Sequence, residues 1–166
     1  MKHTSDILTI RSPEADDGSA IAHLFTQLGY PAEGCDVTAR LLAPDPASVV
    51  LLASQADKVV GVLVWHRLAP LHVAPAWGLI SALVVDEGAR GARGARGARG
   101  ARGARGARGA RGAGVGAALL RRAEQMARAA GCAQLELSSS LKREAAHRFY
   151  LAQDYQERPK RFVKLL

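Results

Sequence analysis

Cysteine is scarce in this chain: Cys35 and Cys132 are the only two in 166 residues. Far apart in sequence, they suggest no disulfide framework and lack the spacing of metal ligands. Two ordinary thiols in a reducing compartment are the simplest reading. Long apolar runs are missing as well. None approaches the ~18 residues of a membrane span, and Met1 to Asp6 leads into no hydrophobic stretch of a signal peptide. A cytoplasmic protein without membrane attachment is therefore expected. One segment is defined by what it omits: Gly88 to Arg111 spells Gly-Ala-Arg eight times and holds no acid, no proline and no aromatic residue. Without proline, and with only eight triplets inside a globular chain, it does not read as collagen. Without interleaved aromatics it offers no platform for stacking bases. A continuous helix is disfavoured because each interior Gly costs ~1 kcal/mol relative to Ala.

What remains is ordinary for a globular protein. Apolar residues make up 48% and charged residues 23% of the chain, and this length is one domain's worth with room for a sizeable core. The net charge of +8 would by itself point to a polyanionic partner. Each repeat copy contributes one Arg, so without seven of the copies the charge would fall to +1. The positive charge is thus a local patch and not a basic face of the fold. The repeat reads first as a solvated loop that repels itself. The sharper alternative is a phosphate- or nucleic-acid-binding arm, because Arg pairs well with phosphate.

Ile7 to Ile10 is β-prone, and Ser12-Pro13-Glu14 reads as a helix start. Ile21, Leu24, Phe25 and Leu28 then recur on one helical face, closed by Gly29-Tyr30-Pro31. Val37, Leu41 and Leu42 suggest a second short helix ended by Ala43-Pro44. Ser48 to Ala53 and Val59 to Trp65 read as a hairpin across Gln55–Lys58, and Leu79 to Val85 as another strand. After the repeat, Val115, Leu119, Leu120, Ala123, Met126, Ala127 and Ala130 form an apolar helical stripe, in which Met126 is core. Gly131 ends it, Leu135 to Leu137 reads as a strand, Arg143 to Ala152 as a helix, and Phe162 to Leu165 as a last strand. The order predicts an α/β fold, a mixed sheet flanked by helices, as one domain spanning residues 1–166 with 88–111 as an insertion.

The repeat occupies a telling position. A strand ends at Val85-Asp86-Glu87, and the last copy opens Arg111-Gly112-Ala113-Gly114-Val115-Gly116 before the long helix. Strand, Gly-rich turn and helix are what a pyrophosphate needs: glycines let the backbone approach, and amide groups at a helix start favour negative charge. Removing seven copies yields a far more ordinary sequence, so the repeat reads as the expansion of one Gly-Ala-Arg. Closing a loop longer by 21 residues costs only roughly 1–2 kcal/mol, and the flanking elements keep apolar faces with which to dock.

The R-x-x-G-x-G pattern in this context resembles motif A of the GNAT N-acetyltransferases. Ala146-His147-Arg148-Phe149-Tyr150, followed by Tyr155, is similar to the family's A-x-x-F-Y helix. The resemblance covers nearly the whole chain. Within the family it is nearest to aminoalkylphosphonate N-acetyltransferases, on Glu136-Leu137-Ser138, Lys142-Arg143, Ala146 to Leu151 and Arg161 to Lys164. It implies a GNAT-like sheet and acetyl-CoA as co-substrate. Arg111, Gly112, Ala113, Gly114, Val115 and Gly116 would bind its pyrophosphate. The backbone of Leu83, Val84 and Val85 would receive the pantetheine arm and acetyl carbonyl. Tyr150 would protonate the departing thiolate, a role suited to a phenol that can hydrogen-bond sulfur as charge develops.

The resemblance further implies direct attack by a primary amine, carried by a small molecule or a peptide. Nucleic acid and membrane are disfavoured as partners, and a homodimer stays open. The alternative is a GNAT scaffold of weak catalysis whose cationic arm binds a polyanion. Three positions depart from the pattern: Asp154 stands where the family usually has Gly, Arg143 where many members have Asn, and Ser81 where many carry an acid. His66, His72, Glu33 and Asp36 lie in segments that often line the acceptor site, and each reads as a surface or structural residue. Only the last repeat copy suits the cofactor, because an earlier register would set Arg93 in the place of Gly114. Copies one to seven are therefore expected to bulge out between Glu87 and Gly109.

Overall fold

The computed structural model describes residues 7–89, 114–158 and 162–165. Its centre is a five-stranded sheet in the order β1 (Thr9–Arg11), β2 (Ser48–Gln55), β3 (Lys58–Leu68), β4 (Ala76–Val85) and β5 (Cys132–Leu137). The first four strands are antiparallel neighbours and β5 runs parallel to β4. Helices α1 (Gly18–Leu28), α2 (Gly34–Leu42), α3 (Val115–Ala129) and α4 (Glu144–Ala152) accompany them.

Strand alternation sorts the apolar residues into two layers, because successive side chains point to opposite faces. Leu51 and Ala53 of β2, with Leu63 and Trp65 of β3 and Ile80 of β4, pack against Leu119, Leu120, Ala123 and Ala127 of α3. Leu52, Val62 and Val84 point the other way, onto Ile21, Ala22 and Leu24 of α1 and Val37 of α2. Leu119 and Leu120 are fully buried; at ~25 cal/mol per Å2 each such side chain stabilises the fold by roughly 1.5–3 kcal/mol. The stripe expected after the repeat is therefore a core face, with Met126 packed at its margin.

Hairpin geometry sets the register. Ala56 and Asp57 both take positive φ (49° and 60°), the two-residue turn whose twist matches antiparallel strands. A bulge between Ala53 and Ser54 then shifts the pairing by one, which brings Ser48 opposite His66. A second irregularity separates Trp65↔Ile80 from Val64↔Ala82 and leaves Ser81 as the extra residue of β4.

Three expectations are corrected. The segment after Pro13 first makes a single 3-10 turn, Ala15–Asp17, capped reciprocally by Glu14 and Asp17, and α1 begins only at Gly18. Strand β4 begins at Ala76, earlier than Leu79. Residues 162–165 form no strand; Phe162, Val163 and Leu165 are exposed. Apolar alternation alone does not make a strand, which needs ladder partners for its N–H and C=O groups. The repeat from residue 90 onward, with the predicted bulging of its first seven copies, lies outside the described residues, which resume at Gly114.

Candidate active site

The β4–β5 ladder runs from Ala76↔Cys132 to Ile80↔Leu137, whereas β4 itself continues to Val85. The two parallel strands thus part in the middle of the sheet, and Leu83, Val84 and Val85 lie on the stretch beyond the parting. Val84 is a buried core residue facing α1, and Leu83 packs toward α3. Their side chains are structural, as expected, so any role in binding belongs to the main chain.

Helix α3 starts beside this opening. Gly114 is its N-cap, in extended backbone (φ −72°, ψ 153°) and with no side chain capping the first turn. Among the described residues, a Cβ placed on Gly114 would meet nothing within 4 Å. Gly116 is different: a Cβ there would stand 3.1 Å from Phe149 Cζ and 3.6 Å from Val85 Cγ2. Its missing side chain lets α3, β4 and α4 come together at one point. Of the predicted cofactor residues, Gly114, Val115 and Gly116 are thereby grouped with Val85; Arg111, Gly112 and Ala113 lie outside the described residues.

Tyr150 is carried to this point by α4. Its ring lies 5.3 Å, edge to face, from that of Phe149 and 6.0 Å from that of Tyr155. Burial raises its pKa above the ordinary phenol value of 10, and the nearby Arg143 charge partly offsets the rise. Tyr150 consequently holds its proton through the neutral range, as a proton donor must. Tyr155 is shifted upward as well, by burial first and then by Glu124, whose carboxylate accepts its hydroxyl at 3.4 Å.

The departures from pattern acquire explanations here. Asp154 adopts φ +63°, the left-handed conformation that favours Gly. Arg143 is the N-cap of α4, and its guanidinium donates to the Leu28 carbonyl at the end of α1 (2.6 Å). Ser81, on the bulge, is hydrogen-bonded to His66 Nε2 at 2.7 Å. Glu33 is the N-cap of α2 and Asp36 sits in that helix's exposed first turn. His72 is exposed in the β3–β4 loop. Ser48 and Gln27 were given no role from sequence, yet both organise this region. Ser48 contacts His66 Nδ1 at 2.6 Å. Gln27 donates to Asp86 Oδ1 (2.8 Å) and accepts the Glu87 amide (3.1 Å).

Residues 106–155 match the Acetyltransferase (GNAT) family. An aminoalkylphosphonate N-acetyltransferase of Salmonella typhimurium (strain LT2) is 31% identical, with 100% of this chain and 98% of that protein covered. The chain belongs to the GNAT acetyltransferase family. Solved structures agree on the fold. A GNAT family acetyltransferase from Staphylococcus aureus superposes with a TM-score of 0.69 at 19% identity, covering 96% of this chain and 98% of that one. A protein from Bacillus halodurans described as a transcriptional regulator reaches 0.74 at 18% identity, covering 96% and 100%. At such identities the likeness shows architecture alone, and function has to be argued from the site.

GNAT acetyltransferases take acetyl-CoA as acetyl donor. The described residues suit it: a sheet opened between parallel strands, beside a helix start that no side chain caps. No helix among the described residues is long and apolar enough to cross a membrane.

Proposed function

We propose that this protein transfers acetyl from acetyl-CoA to a primary amine by direct attack. The observation that carries the reading is the meeting of Val85, Gly116 and Phe149 with Tyr150 beside the β4–β5 opening. Gly114, Val115 and Gly116, together with Arg111, Gly112 and Ala113, bind the pyrophosphate through backbone amides. The main chain of Leu83, Val84 and Val85 orients the thioester. Acetyl-CoA supplies the activated acyl group. Tyr150 gives its proton to the departing sulfur and regains one from the attacking nitrogen through solvent, so atoms and charge balance. The acceptor class follows the Salmonella relative: a small amine bearing an anionic phosphonate. The whole chain acts as one catalytic domain in the cytoplasm, and residues 88–111 are an expanded motif A turn in which the last copy serves the cofactor.

The test is thiol release from acetyl-CoA with a panel of primary amines that includes aminomethylphosphonate. Turnover that depends on an amine supports the reading; acetyl-CoA binding with no turnover on any amine refutes it. The same assay on a chain contracted to one Gly-Ala-Arg addresses the repeat. Equal affinity and rate in the two chains would refute the idea that the expansion perturbs the site.

A further inference from the structure

A chain of polar contacts crosses the sheet surface near the β4 bulge. Ser48 donates its hydroxyl to Asp45 Oδ2 (3.4 Å). Ser48 Oγ lies 2.6 Å from His66 Nδ1, and His66 Nε2 lies 2.7 Å from Ser81 Oγ. A carboxylate only accepts, so when Ser48 gives its proton to Asp45 it accepts from the imidazole. In that arrangement the neutral ring carries its proton on Nδ1 and turns the lone pair of Nε2 toward the Ser81 hydroxyl. Ser81 is exposed and is the residue that the bulge leaves outside the β3–β4 pairing. It precedes by two residues the stretch Leu83 to Val85 that passes the cofactor opening. Neither the two core layers nor the transfer of acetyl from sulfur to nitrogen uses this array.

We propose that Ser81 and His66 form a proton relay that frees the acceptor amine for attack. This rests on the acetyltransferase reading above. An amine enters as an ammonium ion and must lose one proton before it can act as a nucleophile. The ammonium gives that proton to Ser81 Oγ while the Ser81 hydroxyl proton passes to His66 Nε2. Nitrogen keeps its electron pair, Ser81 is regenerated, and the imidazolium donates from both ring nitrogens, to Ser48 and to Ser81. Asp45 supports the cation through Ser48. The proton leaves to solvent after turnover. Ser81 is the group that touches substrate; His66 acts through it. From β2 the side chain facing the ring is Ser48, from β4 it is Ser81, and Asp45 is the ionised group behind them. Arg67, next on β3, is engaged elsewhere, donating to the Ala130 carbonyl at 3.0 Å.

Two measurements test the relay. The first needs no turnover: 15N NMR of the histidines at neutral pH should show the Nδ1–H tautomer for His66, and S48A should reduce it. An Nε2–H tautomer in the native protein would overturn the relay. The second is the pH profile of kcat/KM for a primary amine in the native chain, H66Q and S81A, with melting temperatures to confirm folding. At pH 7 both variants should be slower by about 100-fold, the low end of general-base effects. The deficit should close to within about threefold near pH 10.5, where about half of an alkylamine resembling the lysine side chain is free base. A deficit that stays constant with pH would mark a merely structural role and overturn the relay alone. A native chain without amine-dependent turnover at any pH would overturn the acetyltransferase reading and the relay with it.

Discussion

Replacing Asp154 by Gly should stabilise this protein, and the structure supplies its own control. Helices α1 and α4 end in the same way. At α1, Tyr30 N–H bonds the Phe25 carbonyl (2.9 Å) and Gly29 N–H that of Thr26 (3.0 Å), with Gly29 at φ +97°. At α4, Tyr155 N–H bonds the Tyr150 carbonyl and Asp154 N–H that of Leu151, both at 3.1 Å, with Asp154 at φ +63°. These are paired 6→1 and 5→2 bonds, the Schellman arrangement that favours Gly at the left-handed position. An L-residue there costs roughly 1–2 kcal/mol, somewhat less for Asp, whose short side chain can bond locally. Gly gives back roughly 0.5–1 kcal/mol through its freer unfolded chain. The net expectation for D154G is a gain of about 0.5–1 kcal/mol.

Unfolding entropy near ~2.1 cal/mol/K per residue gives roughly 350 cal/mol/K for a chain of this size, so Tm should rise by about 1.5–3 °C. Calorimetry or circular dichroism reads that directly. G29A is the reciprocal case. A Cβ at Gly29 meets nothing within 4 Å, so only backbone strain is added and Tm should fall by about 3 °C for each 1 kcal/mol. A fall in Tm for D154G would refute the reasoning, since it would mean that the carboxylate contributes more than the backbone loses.

Three further outcomes are expected. Y150F should lower kcat by about 100-fold or more with little change in acetyl-CoA affinity, read by steady-state kinetics and calorimetric titration; an unchanged kcat would remove Tyr150 from the chemistry. G114D should weaken acetyl-CoA binding at least about tenfold, or 1.4 kcal/mol. The same change should raise Tm slightly, because Asp caps a helix somewhat better than Gly; unchanged affinity would detach the α3 start from the pyrophosphate. Asp17 accepts a bidentate pair from Arg11 at 2.7 and 2.8 Å, and that hydrogen bonding holds its pKa below the usual carboxylate value. Its stabilisation is present above pH ~3.9 and lost as pH falls through the lower folded pKa. With Arg11 37% exposed, the effect is discounted to roughly 1 kcal/mol. Urea melts should show that deficit for D17N at pH 7 and its disappearance near pH 2; a deficit persisting there would assign it to packing.

How far the sequence could be read depended on how local each signal is. Helical stripes such as Leu119-Leu120-Ala123-Ala127 bury one face whatever lies opposite, so the core layers follow from periodicity. The Ala-x-x-Phe-Tyr segment and the glycines at 114 and 116 were legible because they sit within a few residues of one another. The His66–Ser81 contact was not. Counting outward from the Ala56–Asp57 turn sets residue 47 opposite His66; only the bulge after Ala53 makes it Ser48. A second bulge turns Ser81 from a paired residue into an extra one. Bulges insert one residue and leave little compositional trace, so single polar residues on three strands gave no sign that they meet. The last strand failed for the opposite reason: Phe162 to Leu165 has the composition of a strand, but ladder partners are a tertiary property.

The segments flanking the repeat show why its length need not decide the fold. On the near side, Asp86 N–H bonds the Val60 carbonyl at 2.8 Å. Its carboxylate holds Gln27 of α1 and the Gly88 amide (3.0 Å), and Gln27 in turn accepts from Glu87. On the far side, α3 is held by five buried residues, Ala117, Leu119, Leu120, Ala123 and Ala127. Each end is fastened to the sheet by contacts of its own, none of which involves residues 90–113. Loop closure then grows only with the logarithm of the intervening length, roughly 0.6 kcal/mol per doubling. What extra copies change in composition is charge: each adds one Arg to the segment between β4 and α3, and the start of α3 is of a kind that favours anions. The repeat is therefore expected to act on acetyl-CoA affinity and its salt dependence before it acts on stability, and titrating the eight-copy and one-copy chains at low and high salt separates the two.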